Sequence, residues 1–192
     1  MRPRKLLFAL IALCKIASAT AEPVIHDTAI GDETRAEPTR IIIFGGTRGA
    51  GRHFTTVVST LGCRKCDAPP DYIGNRNVID AASAAGVRHV VLVSTIGAGD
   101  SADAMPFFVK VFLRDRIDRK TQAENHLRAS DLDFTIVRPG GLKDGEPTGH
   151  SILTTDPSVM GFIRRADLAR LLVGVLDDPN TFGKTYSALD PK

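Results

Sequence analysis

Residues 40–51, Arg-Ile-Ile-Ile-Phe-Gly-Gly-Thr-Arg-Gly-Ala-Gly, constrain this chain more than any other stretch. Residues 40–44 form a short apolar run that stops at a glycine, the mark of a strand buried on both faces of a parallel sheet. Gly45, Gly49 and Gly51 follow with the spacing G-x-x-x-G-x-G. A backbone that leaves such a strand and enters a helix over a pyrophosphate must turn sharply. It must also let the phosphate approach and aim its first amides at it. Each step wants a residue without a side chain. A structural strand–turn–helix with no ligand shows the same spacing, so the glycines alone leave both readings open.

The rest of the chain sets bounds. Its formal charge of +3 is concentrated at the start, where Arg2, Arg4, Lys5 and Lys15 stand among residues 1–19 with no acid. Without them the chain is close to neutral, which argues against a nucleic-acid partner recognised through a basic face. Residues 6–14 (LLFALIALC) are apolar but too few to span a bilayer as a helix. A positive start, a short apolar run and the small residues Ala17, Ser18, Ala19 and Ala21 predict a secretory signal over 1–21. The expected mature protein is secreted or periplasmic with no stable membrane association. It is cytoplasmic if the signal stays on. Residues 22–39, polar with Pro23, Pro38 and Gly31, read as a flexible leader to a domain over 40–192. In an exported chain, Cys63-Arg64-Lys65-Cys66 reads as a small disulfide loop or two idle thiols ahead of metal or redox chemistry. No metal site is expected, since no further CxxC or paired His is at hand.

Beyond the glycine turn, Asn75–Ala85 has helical periodicity and stops at Gly86, and Arg88–Thr95 is a valine-rich buried strand. Pro106–Arg116 and Arg119–Ser130 read as two helices. Asp133–Val137 reads as a strand, followed by a long loop through Gly149. Arg165–Asp177 is an amphipathic helix and Lys184–Leu189 a last strand. Strands alternating with helices predict an α/β fold with a mostly parallel sheet flanked by helices. Residues 53–61 (HFTTVVSTL) carry two signals. Apolar residues at 54, 57, 58 and 61 follow a helical period, whereas Thr55, Thr56, Val57, Val58 and Thr60 are β-branched and favour a strand.

Four stretches carry a family resemblance: FGGTRGAGR (44–52), YIGNRNVIDAASAAGVRHVVLVSTIGAG (72–99), KTQAENHLRASDLDFTIVRPGGL (120–142) and FIRRADLARLLVGVLDDP (162–179). In this order they resemble the short-chain dehydrogenase/reductase superfamily, in its atypical NAD(P)H-binding, NmrA-like and flavin-reductase-like branch. The resemblance implies a Rossmann-like fold and an NADP or NAD cofactor. It places Gly45, Gly46, Thr47, Arg48, Gly49 and Gly51 on the cofactor pyrophosphate, where Arg48 and Arg52, read from the residues alone, suit either the extra phosphate of NADP or a solvated surface. It implies a catalytic or substrate-contacting role for Ser94 and Thr95 and a nicotinamide-ribose contact for Lys120. Arg138, Pro139, Gly140 and Gly141 fall where the family passes the nicotinamide ring. Each also has a plain structural reading, as a strand cap, a helix charge or a turn.

Two departures from the family pattern stand out. Its proton-donating tyrosine lies four residues before the lysine, and here that position is Arg116, which stays protonated and cannot cycle as an acid. In addition, the family interposes a helix, two strands and their links between the glycine turn and a strand resembling residues 55–62. This chain runs almost directly from one to the other, as if shortened by loss of the second and third strands. Residues 45–54 leave scant length for a parallel crossover, which usually takes about a dozen residues or more. Either 53–61 refolds as the first helix, or the sheet loses one side. The function expected is NAD(P)-dependent hydride transfer to an unidentified small-molecule acceptor. The alternatives are a non-catalytic nucleotide-binding or protein-interaction module, or an inactive truncated remnant. Substrate and oligomeric state are not written in these residues.

Overall fold

The computed structural model describes residues 41–44, 55–63, 66–176 and 178–191. The glycine turn, the signal and the leader lie outside the described residues. In chain order the elements are β1 (Ile41–Phe44), β2 (Thr56–Ser59), α1 (Ile73–Ala84), β3 (His89–Val93), α2 (Phe107–Arg128), β4 (Asp133–Pro139), β5 (Gly141–Lys143), β6 (Ile152–Thr154), β7 (Phe162–Arg164), α3 (Arg165–Leu176) and β8 (Lys184–Leu189). Six strands form one sheet in the order β1-β2-β3-β4-β8-β6. All neighbours in it are parallel except β6, which runs antiparallel to β8. β5 and β7 form a separate parallel pair.

Adjacent residues of the central strands face opposite layers, as the strand period of two requires. Val57, Val90, Leu92 and Ile136 pack with Ile79 and Ala82 of α1 and Ala123 and Leu127 of α2. Their chain neighbours Val58, Val91 and Val137 join Ala188 against Leu168, Val175 and Leu176 of α3. Helices therefore cover both faces, and this explains why the strands read as unbroken apolar runs rather than alternating ones. Each large aliphatic side chain buried this way contributes about 1.5–3 kcal/mol.

Within the contested segment, Thr56–Ser59 is a strand. All four residues of β2 are buried, and the segment lies between β1 and β3, where β-branched side chains pack well on both faces. Its apolar spacing fits a helix only by coincidence of two adjacent valines. β2 pairs parallel to β1, with Ile41 opposite Thr56 and Phe44 opposite Ser59. The shortage of linking chain does not prevent this. The link has only four residues of strand to retrace, about 13 Å, and residues 45–55 are long enough to cover it. Among the described residues β1 has a strand on one side only.

Two further expectations are corrected. Residues 107–128 form one continuous helix rather than two, because no glycine or proline interrupts them at 117–118. The stretch from Gly141 to Gly149 is also not all loop: β5 begins it, pairing Leu142 with Ile163. α1 ends as expected, with Gly86 at φ +71° in the left-handed region just past the helix.

Candidate functional site

In a parallel sheet every strand presents its C-terminal end at the same edge, where ligands of such folds bind. Gly62 follows β2, Ser94 and Thr95 follow β3, and Pro139, Gly140 and Gly141 close β4 at that edge. α2 runs behind it. Arg116, Lys120, Glu124 and Arg128 recur every fourth residue on this helix, which places them in one row along its surface.

Lys120 is the most buried cation of this row. It is 2% exposed, and its Nζ donates to Leu61 O at 2.7 Å and to Val93 O at 2.8 Å. One ammonium thus ties the end of β2 to the end of β3. Burial lowers its pKa to about 8, against the opposing pull of Asp71. Arg116, at the family's tyrosine position, faces Asp71, with Nε 3.7 Å from a fully buried carboxylate. Asp71 also accepts from the Cys63 amide at 3.1 Å, and Cys63 is bonded to Cys66 in a disulfide.

Ser94 and Arg138 share one buried cluster. Ser94 Oγ donates to Glu124 Oε1 at 2.5 Å. Arg138 grips the same carboxylate, Nε to Oε1 at 2.9 Å and Nη2 to Oε2 at 2.7 Å, and its Nη1 donates to Asp100. Arg128 Nη2 adds a bond to Glu124 Oε2 at 3.1 Å. Burial alone would lower the Arg138 pKa, but Glu124 and Asp100 outweigh it and hold the pKa above its usual value. Arg138 in turn keeps Asp100 below the ordinary carboxylate range. The loop after β3 is pinned at Gly97, whose amide donates to Ser101 Oγ at 2.9 Å, and at Gly99, whose amide donates to Thr121 Oγ1 at 3.0 Å.

Of the residues expected at the site, Thr95 is half-buried, with its hydroxyl engaged by one bond, to Ile96 O at 3.2 Å. The Ser94 hydroxyl, the Lys120 ammonium and the Arg138 guanidinium point instead into internal bonds. Gly140 allows a close approach: a Cβ there would lie 2.3 Å from Gly161 O. At Gly62 a Cβ would come 3.1 Å from Asp71 Oδ1 and 3.4 Å from Lys120 Nζ. Gly45, Gly46, Thr47, Arg48, Gly49 and Gly51 lie outside the described residues. Among the described residues no group of three or more His, Cys, Asp or Glu is arranged to hold a metal, and no helix is long and apolar enough to cross a membrane.

The sequence pattern of the NAD(P)H-binding family matches residues 46–179. The chain belongs to that family. It is an atypical Rossmann-type NAD(P)-binding protein, and NAD(P)H is its cofactor class. Among curated proteins it is 31% identical over 120 residues to the uncharacterized sugar epimerase YhfK of Bacillus subtilis, covering 60% of this chain and 51% of the relative. It is 32% identical over 121 residues to sanguinarine reductase of Eschscholzia californica, covering 60% and 43%. Among solved structures, ChuY, an anaerobillin reductase from Escherichia coli O157:H7, superposes with a TM-score of 0.66 at 35% identity, covering 71% of this chain and 64% of that one. The chain therefore spans about half the length or less of these curated relatives. Two of these three relatives are reductases.

Glu124, Asp71, Asp100 and Asp167 were not singled out from the sequence. Glu124 had a signal, the four-residue spacing from Lys120. Asp167 accepts from the Thr148 amide at 2.6 Å and the Gly149 amide at 3.0 Å, fastening the loop after β5 to α3. Burial would raise the Asp167 pKa, yet these bonds hold it below the usual value.

Proposed function

We propose that this protein is an NAD(P)H-dependent reductase of a small-molecule acceptor that works without a tyrosine acid. The observation that carries this is the convergence of Gly62, Thr95 and Gly140 at the C-terminal edge of three neighbouring parallel strands. These residues fit the nicotinamide half of the cofactor. They leave a small, uncharged surface over a buried cation, and at Gly62 a side chain would fill the space above Lys120 and Asp71. Bound NAD(P)H supplies a hydride there. Gly45, Gly46, Thr47, Arg48, Gly49 and Gly51 would hold the pyrophosphate, and Pro139, Gly140 and Gly141 would line the ring. The Thr95 hydroxyl orients carboxamide or acceptor. Lys120 fixes the spacing of β2 and β3 and lends positive potential from below. The acceptor's proton comes from solvent, because an arginine, here facing Asp71 at 3.7 Å, cannot cycle as a general acid.

Turnover tests this reading. Purified protein with NADPH and with NADH is offered carbonyl, flavin and quinone acceptors, and cofactor oxidation is followed optically. Saturable oxidation with one class supports a reductase. Cofactor binding with no turnover across the panel favours the second reading, a nucleotide-sensing module. The commitment of Ser94, Lys120 and Arg138 to internal bonds supports that alternative.

The signal-like residues 1–21 and the Cys63–Cys66 disulfide together support export to an oxidising compartment. Detection of the full-length chain in the cytosol, with residues 1–21 intact, would overturn that assignment.

A further inference from the structure

We propose that Cys63 and Cys66 form a reversible dithiol–disulfide centre at the C-terminal end of β2, a chemical site separate from hydride transfer whose substrates are thiols. Three observations carry it. First, the bridge joins residues three apart in sequence. Closing so small a loop removes little disorder from the unfolded chain, so the bridge adds little to stability compared with one that closes a long loop. Second, access is one-sided: Cys66 is exposed and Cys63 half-buried. An incoming thiolate therefore meets the Cys66 sulfur, and Cys63 is the leaving group. Third, Cys63 sits on a buried carboxylate. Asp71 is fully buried, its Oδ2 accepts from the Cys63 amide at 3.1 Å, and among the described residues its Oδ1 has no hydrogen-bond partner. Among the described residues the cation paired with that oxygen is Arg116, whose Nε stands 3.7 Å away and makes no hydrogen bond there. A buried acceptor left open in this way is costly in the oxidised state. Reduction of the bridge supplies the donor it lacks, the Cys63 thiol.

The exchange balances with a thiol of the glutathione class. Its thiolate attacks Cys66 Sγ, the Sγ–Sγ bond breaks, and Cys63 departs as a thiolate and takes up a proton. A second thiolate then attacks the external sulfur of the mixed disulfide and releases Cys66. Two external thiols become one disulfide, and their two electrons reside on Cys63 and Cys66. Asp71 acts as a positioning residue that holds the protonated Cys63. Lys120 Nζ, bonded to Leu61 O, keeps the end of β2 in place through the exchange.

The test equilibrates the folded protein with glutathione and its disulfide over a series of ratios. Thiols are trapped with maleimide and assigned to Cys63 and Cys66 by peptide mass, while circular dichroism follows the fold. The expected result is that both cysteines convert together within the series with the dichroism unchanged. A bridge that stays closed until the protein unfolds is a structural staple and overturns the proposal. Asp71→Asn in the same series is expected to move the midpoint towards the more reducing side on the order of tenfold, as the dithiol loses a charged acceptor. An unchanged midpoint in that variant removes Asp71 from the centre. If that variant does not fold, the wild-type series still decides.

Discussion

Glu124 holds Arg138 through two parallel hydrogen bonds, 2.9 Å and 2.7 Å long, and so fastens α2 to the end of β4 beneath the cofactor edge. Both side chains are almost wholly withdrawn from water. Breaking such a pair by removing one partner leaves the other charge buried and uncompensated. Glu124→Ala is therefore expected to cost about 3–5 kcal/mol. In a domain of this size that lowers Tm by on the order of 10 °C. Thermal unfolding followed by circular dichroism checks it, and a shift of a degree or two would contradict the cluster's structural role.

Ser94 and Thr95 are neighbours with different expected effects. Ser94 is buried and donates to Glu124, so Ser94→Ala is expected to cost about 1–3 kcal/mol in urea unfolding. Thr95→Val is expected to leave stability within about 0.5 kcal/mol while lowering kcat/KM for the acceptor about tenfold or more. Equal activity in Thr95→Val would place the acceptor elsewhere.

Gly99 lies at φ +55°, and a Cβ there would stand 2.4 Å from Arg138 Nη2. Gly99→Ala meets both a left-handed backbone and the buried guanidinium. A loss of about 1–3 kcal/mol is expected, measured by chemical denaturation. Gly86→Ala has an open surrounding and only the backbone term, so it is the milder control.

Lys120 gives a pH signature. Its pKa is lowered to about 8 in the folded protein from an ordinary 10.5. Between these values the folded chain has released a proton that the unfolded chain still binds, so stability rises with pH across that window. Below about pH 8 the ammonium is charged in both states, and the cost of burying it is fully present. The stability of the wild type minus that of Lys120→Met is expected to rise between about pH 8 and 10.5, by about 3 kcal/mol at most. A flat difference would show that burial does not perturb this lysine.

The legible parts of the fold were those with a single physical signal. Val90–Val93 and Ile136–Val137 read as buried strands because nothing competed with that reading. Residues 53–61 carried two periods at once, and only their position between β1 and β3 lets the β-branched residues prevail. The helix over 107–128 looked divided because its charged face hides its apolar stripe near Asp118. At the candidate site, the resemblance singles out Lys120 and Thr95. It does not single out their partners: Asp71 meets Arg116 across 45 residues of chain, and Glu124 meets Arg138 across two elements. Such pairs have no local spacing to betray them. The role of Arg116 shows the consequence. In the sequence it reads as a missing tyrosine, and in the fold it is the cation facing a buried carboxylate.

The central claim is that this short Rossmann-type chain still binds its cofactor, and a fluorescence titration of the folded protein with NADPH and NADH tests it most directly. The account predicts saturable enhancement of the reduced nicotinamide emission at submillimolar cofactor. No binding at millimolar NADPH or NADH, from protein that unfolds cooperatively, would contradict it.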